Sequence, residues 1–381
     1  MTRANNSLKM KETNKLRVLG LIREREISRA DIARATGLSR AAITFITDEL
    51  IKEGLICEGE AKKSQNGRRP TMLKICSDAY LAVGIDINRD ACNVTVVDFS
   101  SFVRVQCAVE LGADADMTVQ ALVNAINHSI DENLSGIKVL GVGICCPGPI
   151  DRARGAILNP PGLEVFHNYT IVDKLRDSLG LPVYLEKDTN ALALAQKNAA
   201  HIGGDFLYLL ADHGLGCSYV KDGKVFSGRG GMGCEIGHVT IKLDGERCRC
   251  GNIGCAELYA SIPAALTLAN KKGVECDSWE GLVSLCEADD KLARSTMREY
   301  GEILATACVG AVNLFEPDYI VLGGKLKEAE NTLRDAIEQA VDQRSLSRGT
   351  RKVKVISSSQ KEDSRATSAA QIVIEKYLMG E

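Results

Sequence analysis

An α/β protein with a small, basic helical head is the fold class this sequence predicts, and three observations predict it. From residue 81 onward, short apolar runs alternate with amphipathic segments, the rhythm of strands tied to helices. The charge is split. Residues 1–75 carry 16 Lys and Arg against 9 Asp and Glu, a net of +7, while the rest carry 31 against 41, a net of −10. One His and three Cys, at 238, 248, 250 and 255, fall within 18 residues. A basic head on an acidic body assigns any polyanionic partner to the head alone.

A length of 381 residues suggests two or three domains. A hydrophobic content of 45% and a charged content of 25% are ordinary for a globular protein. No apolar run approaches the ~20 residues needed to cross a bilayer, so no membrane partner is expected. The first seven residues lack the apolar core of a signal peptide. With 14 Cys and no such signal, the expected location is cytoplasmic, with thiols free or on metal.

The head reads as three helices. Residues 13–25 carry a helical stripe at Leu16, Leu19, Leu21 and Ile22. Ser28 is an N-cap for residues 29–36, with Asp31 in the first turn, where the helix dipole favours an acid. Gly37 ends that helix and Leu38 enters the small core. Ser39 caps a helix that runs to about residue 53, burying Ile43, Ile46, Leu50 and Ile51 and showing Ser39, Arg40, Thr44 and Thr47 on its other side. Gly54 closes it. Short helix, Gly turn and second helix make a helix-turn-helix. Residues 55–59 and 73–76 pair as a two-stranded wing with Arg68 and Arg69 at its tip.

The helix from Ser39 is shaped to enter a major groove, with Arg40, Thr44 and Thr47 at base edges and Arg40 favouring guanine. Arg68 and Arg69 reach a minor groove or phosphates, an affinity that falls with salt. The expected partner is double-stranded DNA; the alternative is a winged helix that docks on protein.

In the body, residues 81–87 and 91–98 read as a hairpin, 118–133 as an amphipathic helix, and 139–145 as a buried strand. Residues 181–185 and 206–210 are further strands, and 363–378 a closing helix. The hairpin start and repeated strand groups suggest two similar lobes with a cleft between them.

His238, Cys248, Cys250 and Cys255 supply one imidazole and three thiolates, the four tetrahedral ligands of a structural zinc. The glycines at 245, 251 and 254 let the chain double back. A closed Cys3His set leaves no position for water, so the zinc builds structure and does no chemistry.

Gly233-Cys234-Glu235-Ile236-Gly237-His238, followed by Cys-x-Cys-Gly-x-x-Gly-Cys-x-Glu, resembles the signature of the ROK family of sugar kinases and sugar-responsive repressors. The resemblance runs from about residue 81 to the C-terminus, and the Gly67-Arg68-Arg69-Pro70 wing tip resembles that of the family's repressors. It implies an actin-like, sugar-kinase-like (ribonuclease H-like) body of two lobes. The expected division is residues 1–78 as the winged head and 79–381 as the ROK domain. Lobe 1 takes about 79–190 plus the closing helix at about 363–381, and lobe 2 about 191–362.

The family's kinases open with Asp-x-Gly-Gly-Thr on a phosphate-cradling hairpin. Here the stretch is Asp86-Ile87-Asn88-Arg89-Asp90, without either glycine or the Thr. Side chains there obstruct the close approach of backbone N–H groups to phosphate, and Asp90 repels it. The second loop, Ala211-Asp212-His213-Gly214-Leu215-Gly216, has an Asp where the first glycine belongs. Leu322-Gly323-Gly324 resembles the nucleotide-side turn and equally serves as a strand-to-helix turn. No enzyme activity is expected.

The sugar side is better kept. Asn159 falls where the family has a sugar-contacting Asn. Glu186-Lys187-Asp188-Thr189-Asn190-Ala191 resembles Glu-Asn-Asp-x-Asn-Ala, with Asp188 at the kinase base position and Lys187 in place of an Asn, a change that opens the site to an anionic sugar. Glu235, His238 and Glu257 match the remaining sugar contacts, His238 serving both zinc and ligand. The resemblance thus implies a sugar-responsive transcriptional regulator, a repressor before an activator. It would bind a DNA operator as a dimer or tetramer and take a monosaccharide in the cleft. The rivals are a sugar kinase with an added head, and a regulator controlled by a protein partner.

Overall fold

The computed structural model describes residues 3–59, 71–200, 202–228, 230–360 and 364–381. They form two compact units. The first takes Met1–Cys146, Tyr169–Leu185 and Ala366–Glu381, and the second Pro147–Asn168 and Glu186–Arg365. Residues 147–168, expected in the first lobe, pack in the second unit, where the chain at Gly148 lies against Lys187 and Glu235.

The head opens the first unit. Helices α1 (Arg3–Glu24), α2 (Arg29–Thr36) and α3 (Arg40–Lys52) accompany a three-stranded sheet of β1 (Ile27–Ser28), β2 (Ile56–Glu58) and β3 (Met72–Ile75), in the order β1-β3-β2. The caps act as read. The Ser28 hydroxyl accepts from the Asp31 N–H at 3.2 Å, the Ser39 hydroxyl from the Ala42 N–H at 3.2 Å, and Gly37 ends α2 at φ 73°. The buried stripe of Val18, Leu19, Ile22, Ile32, Ile43 and Leu50 does not stop at the head. It is continuous with Ala82, Val97, Phe99, Ala370, Val373 and Ile374. Arg23 adds polar ties, donating to the Ser101 hydroxyl at 2.8 Å and pairing with Glu375 at 3.3 Å.

Strands β4 (Leu81–Ile87), β5 (Cys92–Asp98) and β6 (Val103–Val109) form an antiparallel meander, followed by α4 (Ala115–Asn133) and β7 (Val139–Cys146), which runs parallel to β4. Short strands β8 (Ile150–Asp151) and β9 (Ala156–Ile157) pair in the second unit. Helix α5 (Ile171–Leu179) then leads to β10 (Val183–Lys187), which completes the order β10-β7-β4-β5-β6. Strand β6 was not anticipated. Val103-Arg104-Val105-Gln106-Cys107 alternates as an edge strand should, but its outer residues are exposed and no apolar run marks it.

The second unit continues with α6 (Asp188–Ala200), the hairpin β11 (Phe206–Ala211) and β12 (Leu215–Lys221), and β13 (Lys224–Val225). Helices α7 (Glu257–Ala260), α8 (Ile262–Lys272), α9 (Trp279–Glu287) and α10 (Lys291–Phe315) precede β14 (Tyr319–Gly324), α11 (Glu330–Arg344) and β15 (Lys354–Ser357). The sheet order is β13-β12-β11-β14-β15. Its core includes the fully buried Trp279 and Tyr300. The closing helix α12 (Ser364–Met379) returns to the first unit, as expected, and lies so close to its sheet that a Cβ at Gly84 would overlap the Ala366 carbonyl oxygen, and one at Gly143 that of Ala369.

Candidate functional site

Helix α3 presents Arg40, Ala41, Thr44, Phe45 and Asp48 as exposed residues, with Ser39 exposed at its cap. Thr47 is a correction: it is completely buried and does not share the exposed face. Its Oγ1 donates to the Thr44 carbonyl at 3.1 Å and accepts from Arg29 Nε at 3.0 Å. Arg29, which sequence reasoning did not single out, goes on to pair with Glu58 at 3.0 Å and ties α2 to α3 and the wing stem. The other missed residue is Phe45, 60% exposed with Lys11 Nζ 4.8 Å from its ring centre. Its place beside Thr44, opposite the Ile43–Ile46–Leu50 stripe, was the available signal. Arg68 and Arg69 lie outside the described residues.

The His and Cys residues converge as expected. The ligand atoms of His238, Cys248, Cys250 and Cys255 all lie within 4.8 Å of one another, and the set can hold a metal ion. Cys248 Sγ is 3.8 Å from His238 Nδ1, and Cys250 Sγ is 3.6 Å from Cys255 Sγ. Thiolates at ~2.3 Å from one tetrahedral ion stand about 3.8 Å apart, so the donors match in kind and spacing. Cys248, Cys255 and His238 are drawn together by a loop whose own polar groups close it. Asn252 Nδ2 donates to the His238 carbonyl and to Thr240 Oγ1, both at 3.1 Å, and the Cys248 N–H donates to the Asn252 carbonyl at 2.8 Å. Gly251 and Gly254 take φ of 97° and 66°, and a Cβ at Gly254 would overlap the Lys242 carbonyl oxygen. Burial, then the Cys250 and Cys248 neighbours, push the Cys255 thiol up to about 12, while the Asn252 N–H pulls Cys250 below its ordinary value.

The six residues matched to sugar contacts all belong to the second unit. Lys187 and Glu235 are brought into direct contact. Lys187, its side chain 4% exposed, donates from Nζ to Glu235 Oε1 at 2.6 Å and to the Gly233 carbonyl at 2.7 Å. Asp188 follows at the start of α6, where its Oδ1 accepts from the Thr189 N–H at 2.6 Å. Glu257 opens α7 and its Oε2 accepts from the Leu215 N–H at 3.2 Å. Gly237 packs under the Leu215 carbonyl, and the His238 N–H donates to the Glu235 carbonyl at 3.1 Å, so Glu235, His238 and Glu257 are grouped around the start of β12. Since His238 Nδ1 faces the cysteines, Nε2 is left for other contacts. Asn159 is exposed in the loop after β9 and makes no side-chain hydrogen bond among the described residues.

The first degenerate loop is filled by its own side chain, and the second is closed by its backbone. Asn88 Oδ1 accepts from the Asp90 N–H at 3.0 Å and the Ala91 N–H at 3.1 Å, an Asx turn that closes the β4–β5 hairpin. Its Nδ2 donates to Asp86 at 3.2 Å. In the second loop the Asp212 N–H donates to the Gly214 carbonyl at 2.9 Å, and the Asp212 carboxylate pairs with Arg365 at 2.9 Å. Gly323 leaves room for the Tyr208 ring, a packing role.

Residues 82–376 match the ROK family, and residues 11–56 match a winged helix-turn-helix DNA-binding domain. A xylose repressor of Caldicellulosiruptor bescii is 31% identical, over 89% of this chain and 90% of its own length. The DNA-binding transcriptional dual regulator NagC of Escherichia coli is 30% identical, over 84% and 82%. Among solved structures, a ROK family transcriptional regulator described as a homolog of the E. coli MLC protein superimposes with a TM-score of 0.83 at 27% identity, covering 97% of each chain. A ROK hexokinase from Thermus thermophilus superimposes with a TM-score of 0.67 at 26% identity, covering 79% of this chain and all of its own.

Proposed function

The chain belongs to the ROK family, and on that premise we propose that it is a sugar-responsive, DNA-binding transcriptional repressor without kinase activity. One observation carries the reading: a complete helix-turn-helix shares the chain with a ROK body whose first phosphate hairpin is capped by its own Asn88. N–H groups already given to Asn88 are not available to a nucleotide. The names of the relatives, a xylose repressor and an N-acetylglucosamine repressor, support a monosaccharide effector.

In this reading Ser39, Arg40 and Thr44 face the major groove and Phe45 packs on a thymine methyl, while Arg68 and Arg69 hold phosphate or minor groove. Asn159, Lys187, Asp188, Glu235, His238 and Glu257 form the effector site. His238, Cys248, Cys250 and Cys255 would hold a zinc ion, which as a closed four-ligand site supplies fold rigidity and no catalysis. The protein works in the cytoplasm, as a dimer whose two heads read a palindromic operator. The head lies in the first unit and the effector residues in the second. The sugar therefore changes operator affinity only if it binds the DNA-competent and DNA-incompetent forms differently.

Thermal unfolding of the zinc-loaded protein against monosaccharides, sugar phosphates and ATP tests this. A ligand at 100 times its dissociation constant adds about 2.7 kcal/mol of stability. The expected result is a shift with one free sugar and none with ATP. A shift with ATP accompanied by ADP production would sink the repressor-only reading, and no shift with any sugar would point to a protein partner.

A further inference from the structure

Lys187 is the one place where the effector residues carry a charge opposite to their neighbours. Its ammonium is buried and already engaged, to Glu235 Oε1 at 2.6 Å and the Gly233 carbonyl at 2.7 Å. Its stem is covered as well: a Cβ at Gly148 would stand 3.2 Å from Lys187 Cδ and 3.7 Å from Glu235 Oε1. The ammonium has three N–H donors and two are committed to protein acceptors. Lys187 stands between Glu186 and Asp188 in the sequence and pairs with Glu235. Arg152 pairs with Glu186 at 3.4 Å.

We propose that Lys187 is a positioning residue and not an anion receptor. By holding Oε1 of Glu235 it leaves Oε2 aimed at a ligand hydroxyl, and it makes the site select an uncharged polyhydroxy sugar over sugar acids and sugar phosphates. An incoming carboxylate or phosphate would either compete with Glu235 for Lys187 or take its third donor, and in both cases it comes to rest beside the Glu235 carboxylate. That leaves a partly buried Glu235 beside a second anion, and two like charges in such a place disfavour each other strongly. A hydroxyl makes no such demand, since it donates to Oε2 while the ion pair stays intact. The inference rests on the effector reading above, and it reverses the expectation that a Lys at this position admits an anionic sugar.

The test is calorimetric titration of the full chain with matched ligands: glucose, glucuronate and glucose 6-phosphate, then xylose and N-acetylglucosamine as further neutral sugars. The wild type should bind a neutral sugar at least 30-fold more tightly than any anionic one. K187M should weaken that binding tenfold or more, and K187M/E235Q should be no weaker than E235Q alone, because Lys187 acts through Glu235. A residue that merely supports the fold would lower the unfolding temperature without this coupling. If K187M does not fold, K187R, which keeps the charge, should fold and retain the preference for neutral sugars. Tighter binding of glucuronate or glucose 6-phosphate than of neutral sugars, lost in K187M, overturns this inference and leaves the effector reading standing. Failure of the wild type to bind any of the five overturns both.

Discussion

Substituting Thr47 separates the fold of the helix proposed to read DNA from its chemistry. Thr47 is wholly buried and its hydroxyl bridges the Thr44 carbonyl and Arg29 Nε. Thr47→Ala removes a buried methyl, about 0.8 kcal/mol. It also removes a hydrogen bond from a charged donor, worth ~1.5–3 kcal/mol in general. That second figure falls to about 1 kcal/mol here, because Arg29 is 28% exposed and keeps Glu58. The expected loss is about 2 kcal/mol. Thr47→Val keeps the volume and should lose about half of that. Arg40→Ala and Thr44→Ala, on the exposed face, should stay within about 0.5 kcal/mol of wild type and instead lower operator affinity. Urea unfolding gives the stabilities, and fluorescence anisotropy with a labelled duplex gives the affinities under conditions where every variant is folded. If Thr47→Ala leaves stability within 0.5 kcal/mol of wild type while changing which duplex is preferred, the placement of Thr47 in the core is refuted.

Gly254→Ala forces a Cβ into the Lys242 carbonyl at φ 66°, so metal analysis should find less than one zinc per chain and a lowered unfolding temperature; full zinc at an unchanged temperature would contradict the loop geometry. If His238 serves both the cysteine cluster and the proposed effector site, removing metal with a chelator should lower both thermal stability and sugar affinity; calorimetry on the stripped and reloaded protein checks it. Burial pushes the Cys92 and Cys308 thiols up to about 12, Asp86 adding to the effect at Cys92. The folded state thus keeps protons that an unfolded chain releases from about pH 9. Their contribution is complete below pH 9 and is lost as pH rises toward 12, so the unfolding temperature should fall across that window and both thiols should resist alkylation at pH 8 until the protein unfolds.

What could be read from sequence was what local chemistry decides. Ser28, Gly37 and Ser39 announce their helix ends because a cap is satisfied within four residues. The His238–Cys255 set is legible because four ligands meet through one short loop of glycines. Thr47 was misplaced because it lies at the border of the helix stripe, where the decision belongs to Arg29 on another helix. The Lys187–Glu235 pair joins residues 48 apart, and nothing local to either names the other. Likewise the continuity of the head's core with Phe99 and Val373 needs the fold itself, since composition marks the head only by its charge.

Operator binding and its response to a sugar can be read in one experiment. The most direct test is a pair of anisotropy titrations on a duplex selected from a random pool by the full-length protein, with and without the sugar that raises its unfolding temperature. Tight binding to a palindromic duplex, weakened tenfold or more by saturating sugar, is expected. Equal affinity in both titrations, or selection of no duplex at all, would contradict it.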